Sequence, residues 1–160
     1  MRTGRDSGAF RRWSRRETAD VAAERLFVRG AVGALAMTAV RRLTTRVGLV
    51  DRTPPERVAH EGFPGLLAQV PPRYRGAAIL AAHVAFGAVA GAVFATLPNG
   101  VRARRWSGPA YGLAIWAVYE AGVAPLVLRV ERERDRPVAE RVAIAADHAL
   151  YGLVLTSRET

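Results

Sequence analysis

Along its length the chain alternates between apolar blocks and Arg-rich stretches. Residues 76–101, GAAILAAHVAFGAVAGAVFATLPNGV, run for twenty-six positions without a formal charge. A helix needs about 20 apolar residues to cross the roughly 30 Å hydrocarbon core of a bilayer, and residues 77–97 meet that outright. Residues 107–128 do so with one charge, Glu120. Residues 138–156 form a weaker block that holds Glu140, Arg141, Asp147 and His148. Residues 26–40 form the shortest, with Arg29 near its start; snorkelling ends or a thinned bilayer would let it cross. The pattern predicts an all-α fold, a four-helix transmembrane bundle with spans at about 26–40, 77–97, 107–128 and 138–156. These make one membrane domain over 19–157. Residues 1–18 are polar and Arg-rich without periodicity, and are expected to be disordered.

The long connection, 41–75, carries its own punctuation. Thr53-Pro54-Pro55-Glu56 fits a helix start, with Thr as the cap, Pro in the first turn and Glu three residues on. Gly62 and Pro64 interrupt that helix, and Pro71-Pro72 closes the segment. A surface-lying loop or short helix between spans one and two is the expectation. An alternative for the first span is a cleaved export signal, with Ser14-Arg15-Arg16 ahead of it and Ala34-Leu35-Ala36 as a cleavage site. Arg41-Arg42 directly after the apolar run speaks against that.

Charge then narrows the partners. The chain of 160 residues has a formal net charge of +10, and all 24 basic residues are Arg. That total invites a nucleic-acid reading. However, the arginines sit between the apolar blocks rather than along one face of a helix, and no nucleic-acid-binding motif is present, so no nucleic acid is expected. The lipid bilayer is the expected partner, with a homo-oligomer or another membrane protein beside it. Counting Arg in the short loops gives eleven on each side of the membrane. The termini are placed in the cytoplasm only because an even number of spans with a short N-terminus is the simpler insertion. Cysteine is absent, which excludes disulfides and thiolate metal sites.

Within the spans, small and ionisable residues stand out. Lipid gives no hydrophobic gain for helix association, so contacts rely on small residues and hydrogen bonds. His83, Gly87 and Gly91 fall on one stripe at four-residue spacing, as do Gly108, Gly112, Trp116 and Glu120. "HVAFG" at 83–87 is echoed by "HALYG" at 148–152, ending on Gly152. At about 1.5 Å per residue, His83 lies about 9 Å in from the face that holds 41–75. Glu120 lies about 12 Å in, and Asp147 and His148 about 14 Å, so the four share one layer. Pro125 frees a backbone carbonyl near Ala121. Ionisable groups inside a span are by default a functional-site hypothesis. The competing reading is hydrogen-bonding glue between helices.

Two function classes result. One is a structural or assembly partner in which the layer of His83, Glu120, Asp147 and His148 acts as glue. The other is a protein that handles a proton, an ion or a small solute through that layer, which is lined towards the 41–75 side only. Lesser alternatives are a b-type haem carrier ligated by His83 and His148, with nearby glycines making room for the macrocycle, and a His/carboxylate metal site. No cofactor is required by the sequence. No G-x-S-x-G, H-E-x-x-H, P-loop or dinucleotide turn occurs, so no catalytic residue is assigned. His83 followed by Gly87 and Gly91, Trp106-x-Gly108, Pro125 and the His148-centred block together resemble bacterial inner-membrane proteins of the YagU type over about residues 26–156. The chain departs from them in lacking a long loop before the last block. That resemblance implies a multi-pass location in the bacterial cytoplasmic membrane and a helix count, and no activity.

Overall fold

The computed structural model describes residues 6–48, 53–127 and 137–157, with the backbone alone for 6–19. The Arg-rich connection 129–136, which entered the loop count, lies outside the described residues, as do 1–5, 49–52, 128 and 158–160. The fold is all-helical, with no strand among the described residues. Its elements are α1 (Asp6–Arg46), α2 (Pro54–Arg57), α3 (Pro64–Gln69), α4 (Arg75–Ala95), α5 (Asn99–Arg102), α6 (Ser107–Val118), α7 (Ala124–Val127) and α8 (Val138–Thr156).

α1 is far longer than its apolar run. It reaches back through the Arg-rich stretch to Asp6, where no periodic structure was expected, and forward to Arg46. No Gly or Pro interrupts 34–47, so nothing stops the helix until Gly48, whose positive φ of 71° ends it in the left-handed conformation. At 41 residues the helix is about 60 Å long. α4 begins after Pro71-Pro72 and ends before Pro98. The stretch from Ser107 to Val127 stays helical but widens at Tyr119–Val123, where hydrogen bonds reach five residues back. Pro125 explains the widening: it lacks an N–H, and its ring displaces the carbonyl one turn earlier. A second widened turn, Val58–Gly62, lies just before Phe63-Pro64, and Phe63 N–H donates to Val58 O at 3.2 Å.

The long helices stand side by side in the order α4, α1, α8, α6, with neighbours antiparallel. α1 packs against both α4 and α8, and α6 packs against α8. α4 and α6, at the two ends of this row, do not pack along their lengths. Tyr111 of α6 bridges them near one end: its hydroxyl donates to Ala90 O at 2.8 Å, and its ring lies 5.0 Å from that of Phe94. From that bridge the two helices enclose a wedge. The segment 54–70 roofs it, packing through α2 on α4 and through the Val58–Gly62 turn on α7. Among the described residues one stretch, Pro72–Ala95, is long and apolar enough to cross a membrane, and 28% of its most apolar window is buried.

Candidate functional site: two glycine seams and a wedge with a polar back wall

Two seams of small residues set every other distance in the bundle. On α1, Leu26, Gly30, Ala34 and Thr38 recur at four-residue spacing, and they oppose Gly91, Gly87 and His83 of α4. A side chain at Gly91 would run into the Leu26 carbonyl, and one at Gly30 into the Gly87 carbonyl. The same happens between α6 and α8. A Cβ on Gly112 would collide with His148 O, and Gly108 and Gly152 would each strike the other's carbonyl. Small residues therefore let backbone meet backbone in both pairs.

Side-chain contacts tie α8 to α1 and, past it, to α4. Gly33 leaves room for the Tyr151 ring, and the Tyr151 hydroxyl donates to Gly87 O on α4 at 2.6 Å. Arg29 donates to Leu155 O at 3.4 Å. Arg41 donates through Nε to Asp147 Oδ2 at 2.9 Å. Both members of that ion pair are buried, at 3% and 5% exposure. A guanidinium and a carboxylate this far from water must be paired, since either alone carries an uncompensated buried charge.

The two histidines have defined tautomers. Thr38 Oγ1 donates its one proton to Ala34 O at 2.9 Å. The 3.2 Å contact between Thr38 Oγ1 and His83 Nδ1 is therefore donated by the ring. His148 Nδ1 lies 2.8 Å from Ile144 O, and a carbonyl only accepts. Both rings thus carry hydrogen on Nδ1, and in the neutral form both keep Nε2 as an acceptor. His83, His148 and Arg41 all line the wedge, a cavity of about 690 Å³. Its other walls are mostly apolar, including Ile79 and Phe86 of α4, Ile115 and Val118 of α6, and Val58 and Leu67 of the roof, with Tyr111 and Tyr119 beside them.

The four residues of the expected layer have different partners. His83 and His148 come together on the wedge, and Asp147 sits behind them on Arg41. Glu120 does not line the wedge; it accepts from Trp116 Nε1 of its own helix at 3.2 Å. His83 leans on Thr38 rather than on Glu120 or Asp147. Gly87, Gly91, Gly112 and Gly152 face neighbouring backbone, so the space beside the histidines is not opened by these glycines. Among the described residues no group of three or more His, Cys, Asp or Glu is placed to hold a metal ion.

Arg41 is the site residue that the apolar pattern does not mark, because it falls in the basic stretch after the first apolar block. A signal for it is nonetheless present: an unbroken helical stretch runs past it, and it sits three residues after Thr38 on the continuing stripe. Moving Arg41 into the bundle leaves eleven loop arginines against ten, which still gives the chain no orientation.

No family model matches the chain, and no curated protein and no solved structure matches it either.

Proposed function

We propose that this chain is a multi-pass protein of the bacterial cytoplasmic membrane, a four-span bundle whose wedge between α4 and α6 receives a small apolar solute. The observation that carries the reading is an inverted distribution of side chains. A water-soluble protein puts large apolar residues inside and charges outside. Here the buried set includes Arg41, Asp147, His148, Glu140 and Ser107, whereas Phe86 is 61% exposed and Leu126 82%. Val28, Val32 and Leu35 of α1 and Val142 and Leu153 of α8 also face outward. Contiguous apolar surface on this scale needs a covering, and lipid covers all helices at once. α1, α6 and α8 thereby join α4 as spans, although none is both long and apolar enough to be one by itself. Asp147, His148 and Ser107 each find a hydrogen-bond partner within the bundle, as lipid requires.

The resemblance to YagU-type proteins belongs to the same proposal, for location and helix count. A second reading, an assembly partner whose polar residues are glue only, is favoured by the helix-to-helix pairs Thr38–His83 and Arg41–Asp147. The roofed wedge tips the balance to solute handling, because glue needs no cavity. Washing membranes with alkaline carbonate and with high salt tests residence: the chain should stay in the pellet through both, and release by either overturns the reading. Reporters fused at residue 1 and after residue 160 should fall on the same side, as four spans require.

A further inference from the structure

We propose that the wedge binds an apolar carboxylic acid, a hydrocarbon chain ending in a single carboxyl group, held head-first against Arg41, His83 and His148. The inference rests on the membrane reading for how such a molecule reaches the wedge, and on the wall chemistry alone for its head group.

Arg41 has five N–H donors. One, on Nε, is used by Asp147, and its side chain makes no other hydrogen bond among the described residues. It is almost fully buried and lines the wedge. Next to it stand two imidazoles whose Nδ1–H groups are already taken by Thr38 and Ile144, which leaves Nε2 acceptors. The wall thus offers donors from Arg41 and acceptors from the rings, with Tyr111, which spends its hydroxyl proton on Ala90 O, and Tyr119 beside them.

A head group that matches must accept at one atom and donate at another. A carboxylic acid does so with its carbonyl oxygen on Arg41 and its O–H on a ring nitrogen. Charge balance selects the acid that arrives with its proton. Asp147 already neutralises Arg41, and Glu56 of the roof and Tyr119 also lie within its electrostatic reach. A bare carboxylate would add an uncompensated negative charge, whereas a proton shared between the acid and an imidazole adds none. The apolar sides formed by Ile79, Phe86, Ile115 and Val118 then receive the chain. The volume of about 690 Å³ falls within the roughly 300–1,000 Å³ range of small-molecule sites.

The test uses the full chain in phosphatidylcholine nanodiscs, with the fluorescent polyene cis-parinaric acid as the probe and protein-free discs as the blank. Oleic acid, methyl oleate and octadecene are the competitors. Oleic acid should displace the probe at about one-tenth of the concentration that methyl oleate needs, or less, the factor expected of a hydrogen bond to a charged partner. Octadecene should compete no better than the ester. The pair replacement Arg41→Met/Asp147→Leu, which leaves no charge stranded, should bring the acid to the level of the ester. Because the competitor series is read on the unaltered protein, it stands even if that variant does not fold. Ala114→Phe, placed in the wedge and away from both seams, should weaken acid and ester alike. Equal competition by acid and ester, or an acid preference that survives loss of Arg41, would overturn the proposal. Carbonate release with the acid preference intact would sink the membrane reading alone.

Discussion

The seams and the wedge are built from helices of similar composition, yet they behave in opposite ways. Along α1–α4 and α6–α8, glycine at four-residue spacing removes every side chain that would hold the backbones apart. Between α4 and α6 the facing positions are Ile79, Phe86, Ile115 and Val118, and no such stripe exists. The helices there meet at Tyr111 and splay from it. Close approach in this bundle is thus decided by which residues are absent. Where bulky residues remain, the space they prop open is kept and lined with Arg41, His83 and His148.

The ion pair at the back of the wedge gives the largest expected effect, because it joins α1 to α8 and borders the wedge through Arg41. Asp147→Ala strands a buried guanidinium and should cost about 3–5 kcal/mol, read as thermal stability of the detergent-solubilised protein. Arg41→Met/Asp147→Leu should recover most of that loss. If the double variant is no better than Asp147→Ala, the pair is not what holds α8 to α1.

The seam–wedge contrast itself is tested by one substitution made twice. Gly112→Leu places its side chain on His148 O and should cost about 1–3 kcal/mol or more. Ala114→Leu, two residues on and facing the wedge, should change stability by less than about 0.5 kcal/mol. Equal losses at 112 and 114 would mean that the space between α4 and α6 is as tight as the seams, and the distinction would go.

The smallest effect separates neighbours from non-neighbours within the polar set. Thr38→Val and His83→Ala remove the two ends of one hydrogen bond, so their combined loss should fall short of the sum by about 0.5–1 kcal/mol. His83→Ala and Glu120→Gln have separate partners and should add to within about 0.5 kcal/mol. A large coupling in the second pair would restore the partnership that the sequence suggests and move Glu120 to the wedge.

Much of the frame is legible in the sequence. The uncharged run and its flanking prolines place α4 at Arg75–Ala95 against an expected 77–97, and α8 falls on the expected 138–156. Pro125 points to a disturbed backbone near Ala121, which lies inside the widened turn. Thr53 and Glu56 announce a helix start, and Thr53 N–H donates to Glu56 Oε2 at 3.1 Å. The site is less legible. His83 and His148 are marked by their position in apolar runs, but the polar partners across the bundle are not, since Thr38 and Arg41 lie 45 and 106 positions from His83 and Asp147. Depth along a helix can be counted from the sequence. Rotation about its axis and the choice of neighbour cannot.

What the sequence determined by itself is local: the helical state, from apolar runs bounded by Pro, Gly and Arg, and the residues small enough for close contact. Those features act within a few residues, through backbone sterics and hydrogen bonds one turn apart. Which glycine stripe meets which is a property of the assembled bundle. So are the burial of Arg41 against Asp147, the placing of two histidines on one cavity, and the failure of α4 and α6 to close. Each depends on contacts between segments far apart in the chain, where shape and charge are matched only once the helices have chosen their partners.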